Sequence, residues 1–318
     1  MTSRSLVPFL TLCFFDSSSL LPLAVRFPLS SPTLHPSPQR KTHPRMSAVH
    51  HSQAGPPIHT IHLSGGEPVP VVAAHGLSES DFRNAIDSAL FKQWLKNMQS
   101  ETGILANGSM SLRQVLIQGV DMFGGRVGFL KFKADITDKE TGKKVPGIVF
   151  SRGQSVAMLI LLESEGETFV VLTEQVRVPV GRFILELPAG MLDDDKGDVI
   201  GTAVREVEEE TGIHLNLADM VNLTAFLDPS TGCRVFPSPG GCDEEMSLFM
   251  YRGKADREVI TALQGKEMGL REHGELIKVH VVPYDKLWRM TADGKALAAI
   301  ALYEMAKREG LLPAPSTT

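Results

Sequence analysis

The sequence predicts an α/β fold: an α/β/α sandwich around a mixed sheet, preceded by a small α+β region and a leader that stands outside the fold. Three observations lead there. Strand-like apolar runs recur from Ile148 onward, and two of them, "SVAMLILLE" (155–163) and "TFVVLTEQVR" (168–177), flank the hairpin signal "SEGE". Helix-period segments at 203–213 and 294–310 lie between and after such runs. Residues 60–147 combine one amphipathic helical pattern with shorter strand patterns.

The leader, residues 1–58, reads as processing information. Nine of the 20 prolines fall in residues 1–60, beside five basic residues and a single acid, Asp16. The apolar run "LVPFLTLCFF" (6–15) is too short to cross a bilayer. The composition looks like an organelle transit peptide, closer to a plastid (chloroplast) leader than to a mitochondrial one. A secretory or untargeted chain is the remaining reading, and Met46 could begin a shorter, cytoplasmic product.

The whole chain carries a net charge of -5, and residues 61–318 hold 27 Lys/Arg against 36 Asp/Glu. An acidic body without a basic patch argues against a nucleic-acid partner, and no membrane partner is expected. It suits a protein that brings divalent cations to a polyanionic small molecule. Cys233 and Cys242 have no zinc-like spacing and read as reduced.

Taken in order, "LSESDFRNAIDSALFKQWLKNM" (77–98) predicts one helix. Ser78 and Asp81 form a variant capping box, Phe82, Ile86, Leu90, Trp94 and Met98 share a face, and "TG" (102–103) ends it. Strands at 115–120 and 127–134 follow, then the turn-rich "DITDKETGKK". The region 60–147 is expected to dimerise the chain or shape its substrate pocket. The second region, 148–305, continues past the hairpin with "FILELPAG" (183–190), a strand closed by Pro188 and Gly190. A glutamate-rich helix ends at Gly212. Strands at 221–227, 246–251 and 276–282 precede a last helix with Leu297, Ile300, Ala301 and Met305 toward the core.

The glutamate-rich helix, "AVREVEEETGI" (203–213), carries the chemistry. Residues three and four apart share a helical face, so Glu206, Glu209 and Glu210 converge while Val207 and Ala203 face inward. Three carboxylates within one turn repel one another unless cations compensate. Hard oxygen ligands are what Mg²⁺ or Mn²⁺ requires, and a diphosphate can complete the shell. Arg205 is placed to pair with Glu209. A merely solvated face is the alternative.

The context "ELPAGMLDDDKGDVIGTAVREVEEETGI" (186–213) resembles the signature of the Nudix hydrolases. Arg205, Glu206, Val207, Glu209, Glu210, Gly212 and Ile213 match its second half position for position. The first half departs: one residue is inserted after Gly190, and Lys196 or Gly197 stands where the family has an isolated Glu. Asp195 or Asp198 could substitute. The resemblance implies Mg²⁺, with Mn²⁺ able to replace it, held by Glu206, Glu209, Glu210 and the Ala189 carbonyl.

The stretch "TEQVRVPVGRFILELPAG" (173–190) resembles the ADP-ribose and nucleotide-sugar diphosphatase branch, which implies Arg177 and Glu186 as substrate-binding residues. Independently, the Arg177 fork suits two phosphate oxygens, whereas Glu186 in an apolar strand needs a partner that a structural arginine would also supply. "FPSPGGCDEEMSLFMYRG" (236–253) resembles the Ser-Pro-Gly loop of that branch. It implies Ser238 and Gly240 at the substrate, and Glu244 as general base or further metal ligand, with Glu245 as its rival. The expected activity is cleavage of the diphosphate of ADP-glucose or ADP-ribose by a homodimer. A UDP-sugar hydrolase and a non-catalytic nucleotide-binding module are the alternatives.

Overall fold

The computed structural model describes residues 55–64, 66–192, 199–215, 219–269 and 274–313. Expectations for the leader before residue 55 and for the acidic loop 193–198, with Asp195, Lys196, Gly197 and Asp198, lie outside the described residues.

The described residues build two sheets. The first runs β1 (Ile58–Ile61), β2 (Val69–Ala73), β3 (Met110–Phe123), β4 (Arg126–Asp138) and β5 (Lys144–Val145) side by side. β6 (Ile148–Ser151) also pairs with β4, so a segment expected to open the second region completes the first sheet. β2 and β3 are parallel. Parallel neighbours need a long crossover, which α1 (Glu79–Asp87) and α2 (Ala89–Gln99) supply. Both helices cover one sheet face, where Phe82, Phe91 and Trp94 join Val71, Val115, Leu130 and Phe132 in one core. The Trp94 and Phe132 rings meet edge to face at 4.7 Å.

The single helix expected over 77–98 is two. Ser88 takes an extended conformation (φ -62°, ψ 148°), closing α1 and capping α2. Its hydroxyl accepts from Phe91 N at 3.1 Å and donates to Ala85 O at 2.6 Å. A serine offers the backbone this local alternative to the helical ladder. The break resets the helical phase, so Ala85 and Phe91 enter the core while Ile86 and Met98 are only partly buried. Ser78 caps α1 as expected, accepting from Asp81 N at 3.0 Å.

The second sheet has the order β11-β12-β7-β8-β14-β13, with β10 added to β7 and β9 to β8. Its strands are β7 (Gln154–Ser164), β8 (Glu167–Arg177), β9 (Arg182–Glu186), β10 (Ala189–Met191), β11 (Met220–Asn222), β12 (Glu245–Lys254), β13 (Glu267–Met268) and β14 (Ile277–Pro283). The β7–β8 hairpin turns through Glu165 (φ 51°) and Gly166 (φ 83°), the paired left-handed residues of a tight two-residue turn. β7 and β12 are parallel and the other pairings antiparallel, a mixed sheet.

Residue alternation along β7 feeds two layers. Val156, Met158, Ile160 and Leu162 pack with Ala203 and Val207 of α3 (Val199–Thr211) and with Ile260 and Leu263 of α4 (Arg257–Leu263). Ala157, Leu159 and Leu161 face Leu287 of α5 (Tyr284–Met290) and Ala296, Ala299 and Tyr303 of α6 (Gly294–Arg308). The result is the expected α/β/α sandwich. The face assigned to the last helix needs correction. Ala296, Ala299, Tyr303 and Ala306 are buried, whereas Leu297 and Met305 are 43% exposed. The alanines let α6 approach the sheet closely; Ile300 packs against the core as expected, while Leu297, Ala301 and Met305 point away. Among the described residues, no helix is long and apolar enough to cross a membrane.

Candidate functional site

Parallel pairing of β7 with β12 sets Gln154 opposite Glu245 and starts both strands together. The turn before β7 and the loop before β12 therefore lie side by side, as the Phe150–Cys242 bridge and the 2.8 Å bond from Phe150 N to Gly241 O record. β10 flanks β7 on the other side, with Gly190 opposite Val156 and Met191 opposite Ser155. α3 crosses β10 and lays Glu206 and Glu210 against this strand.

Glu210 is the most enclosed of them, 7% exposed. Ala189 N donates to one oxygen at 3.1 Å, and the Gln175 amide to the other at 2.9 Å. Burial, and then the negative charge of Glu206, raise the Glu210 carboxyl to about 8. Glu206, half-buried, covers Gly190, where an added Cβ would fall 1.9 Å from the glutamate Cδ. Glu209 is exposed on the same helix. Arg205, expected to pair with Glu209, donates to Thr202 Oγ1 at 3.1 Å. Helix spacing thus brings Glu206 and Glu210 together with the Ala189–Gly190 backbone. Among the described residues, no three His, Cys, Asp or Glu groups are already gathered as a metal cage.

Two neighbouring carboxylates, one buried at the expense of its charge, fit Mg²⁺. That ion keeps part of its water shell and uses one or two carboxylates plus substrate phosphates rather than a full protein cage. Gly212 ends the helix as expected, with φ 74° and its N–H bonded to Glu208 O at 2.8 Å.

Arg177 of β8 and Glu186 of β9 are joined by their side chains, although the register sets Glu186 opposite Thr173 and Arg177 opposite Arg182. Arg177 Nε and Nη2 reach the two Glu186 oxygens at 2.5 and 3.0 Å. Lys295 Nζ bonds Glu186 at 2.6 Å and Asp293 at 3.0 Å. Burial is the largest influence on Glu186 and would raise its carboxyl. Together the Arg177 and Lys295 cations outweigh it and hold the carboxyl below its ordinary value. The bond to Glu186 raises the Arg177 guanidinium. Glu186 is therefore 3% exposed and held by the protein itself, while the Arg177 side chain remains 42% exposed.

Asp293 does more than neutralise Lys295. It caps α6 through Lys295 N at 3.0 Å and accepts from Leu187 N at 3.3 Å, fixing the chain just before Ala189. Thr291 Oγ1 adds a 2.6 Å bond to Leu185 O. Sequence reading missed Gln175, Asp293 and Lys295. Only the Asp293 cap had a local signal, an acid opening a helix.

In the loop before β12, Ser238 and Gly240 are exposed, and the Ser238 carbonyl accepts from Gly241 N and Cys242 N. Glu244 accepts from Ser155 Oγ at 2.8 Å and meets Arg152 Nη1 at 3.5 Å. Arg152 Nη2 contacts Met191 Sδ at 3.1 Å, beside Gly190, which Glu206 covers. Arg152 thereby joins Glu244 to β10, the strand on which Glu206 and Glu210 lie. Glu245 spends both oxygens on neutral amides, Asn97 at 2.6 Å and Gln154 at 3.1 Å.

The NUDIX domain family matches residues 151–302. Nudix hydrolase 14, chloroplastic, of Arabidopsis thaliana is 72% identical over 253 residues, covering 80% of this chain and 82% of its own. An ADP-ribose pyrophosphatase of Haemophilus influenzae is 33% identical over 47% of this chain and 64% of its own. The ADP-ribose pyrophosphatase of Bacillus subtilis is 27% identical over 63% of this chain and 97% of its own. With so much of a 72% identical relative covered, and the carboxylate helix inside the matched domain, the chain belongs to the Nudix hydrolase family.

Proposed function

We propose that the protein hydrolyses the diphosphate bond of ADP-sugars, converting ADP-glucose to AMP and glucose 1-phosphate, and ADP-ribose to AMP and ribose 5-phosphate. The observation that carries this reading is the Glu206–Glu210 pair set against the Ala189–Gly190 backbone. A pure binding module need not keep two mutually repelling carboxylates side by side. Relatives named as ADP-ribose pyrophosphatases support the adenosine diphosphate class. The plastid-like leader and the chloroplastic relative support ADP-glucose and a chloroplast location.

Glu206, Glu209, Glu210 and the Ala189 carbonyl would hold Mg²⁺ or Mn²⁺, which screens the diphosphate charge and acidifies water. The free edge of Arg177 binds the diphosphate, with Glu186 and Lys295 fixing the orientation of its fork. Ser238 and Gly240 border the substrate. Glu244 takes the proton of the attacking water, aimed by Ser155 and Arg152. Water oxygen bonds to one phosphorus, the bridging P–O bond breaks, and the bridging oxygen leaves on the other phosphate. Both products are phosphate monoesters, so no covalent nucleophile is required.

The chain is proposed to act as a homodimer built through residues 60–147. The test of substrate class is a panel of ADP-glucose, ADP-ribose, UDP-glucose and NADH with the purified protein in Mg²⁺. AMP release from the two ADP-sugars ahead of the others supports the reading. Preference for UDP-glucose moves it to the alternative, and binding without turnover makes the protein a sensor.

A further inference from the structure

We propose that helix α2 braces the loop carrying Glu244, and that Asn97 is a positioning residue acting through Glu245. The helix grips the start of the parallel β7–β12 pair at two points on one face. Leu90 packs on the turn at Gly153, where an added Cβ would meet its Cδ2 at 2.8 Å. Two helical turns later, Asn97 Nδ2 donates to Glu245 Oε1 at 2.6 Å across 148 residues of sequence.

The direction of that bond is fixed chemically. An ionised carboxylate only accepts, so the asparagine must present its NH₂, and its carbonyl takes the Gln93 amide at 2.7 Å. Gln154 completes Glu245 from β7 at 3.1 Å.

The other side of Glu244 is equally constrained. Asp243 accepts from Ser151 Oγ at 2.5 Å, Arg152 N at 2.8 Å and Gly153 N at 3.2 Å. Glu244 is therefore strung between two anchored acids, one tied to the β6–β7 turn and the other to α2. Alternation turns its side chain away from both, toward Ser155. A loop held on one side only would let the carboxylate wander, and small misplacements of a reacting group are costly. The N-terminal region would thus contribute to catalysis within one chain, independently of any dimer contact.

This inference rests on the role proposed for Glu244, and the experiment separates the two. AMP release from ADP-ribose in Mg²⁺ is measured for the full chain, for N97A, N97D, E245A and N97A/E245A, and for E244Q as reference. The expected result is a roughly tenfold fall in kcat for N97A, with KM within about twofold. N97D should fall further, because it sets a second carboxylate against Glu245. The double variant should be no slower than E245A, since both substitutions cut one tether. Melting curves give the folded fraction of each variant, and kcat is expressed per folded enzyme. Wild-type kcat in N97A and E245A beside an inactive E244Q overturns the brace and leaves the role of Glu244 standing. Full additivity in the double variant also overturns it. An active E244Q removes the role of Glu244, and the brace falls with it.

Discussion

The Glu206 carboxylate lies directly over the α-carbon of Gly190, so close that a β-carbon there would fall 2.1 Å from its Oε1. Gly190 has an ordinary strand backbone within β10, so the constraint is space and not dihedral angle. The obstacle to a methyl group is the flexible end of one side chain. Gly190→Ala should therefore fold with a melting temperature within a few degrees of wild type while Glu206 is displaced from the site. Turnover should fall by about 10- to 100-fold. Paired melting and kinetic measurements check this, and equal loss of both would point to a structural role for the glycine.

Burial first, and then the charge of Glu206, put the Glu210 carboxyl at about 8 against an ordinary 4.5. In the absence of divalent cation, the native state therefore keeps a proton that the unfolded chain releases. The stabilising contribution of this group is complete below about pH 4.5 and is lost as pH rises toward about 8. Bound Mg²⁺ compensates the two charges in place of that proton. The melting temperature gained on exchanging EDTA for Mg²⁺ should therefore grow between about pH 5 and 8, and Glu210→Gln should flatten the trend. A gain independent of pH would separate the cation from Glu210.

Some of this was written locally in the sequence. Gly212 ends α3 because a residue after a helix takes positive φ most cheaply as glycine, and the tight Glu165–Gly166 turn fixes the β7–β8 hairpin. Helix spacing also sufficed to bring Glu206 and Glu210 to one face. Ser88 was opaque, since a serine inside an amphipathic pattern caps or continues a helix according to its tertiary setting. The face of α6 was misjudged at Leu297, Ala301 and Met305, though not at Ile300, because the closest approach to the sheet is made by Ala296, Ala299 and Ala306. Asn97, Asp293 and Lys295 meet partners more than 100 residues away, and no periodicity encodes such contacts.

The homodimer and the leader are tested on the same preparations. Light scattering of the chain lacking its first 58 residues should give about twice the chain mass at micromolar concentration, with activity retained. The removed segment should carry a fused reporter into plastids. A fully active monomer rules out the dimer, and diffuse cytosolic reporter rules out the targeting role.

The most direct test of the account is AMP release from ADP-ribose at saturating Mg²⁺ by wild type and Glu210→Gln. Glu210 is buried and bonded by Ala189 and Gln175, and the substitution keeps its shape while removing its charge. In EDTA near pH 8, where the wild-type carboxyl ionises beside Glu206, the variant should melt at or above the wild-type temperature. Its turnover should nevertheless fall at least about 100-fold, because cation binding loses a principal oxygen. That combination, a fold preserved and chemistry lost, is what the account predicts. A Glu210→Gln enzyme with near-wild-type turnover would contradict the metal-site assignment at its centre.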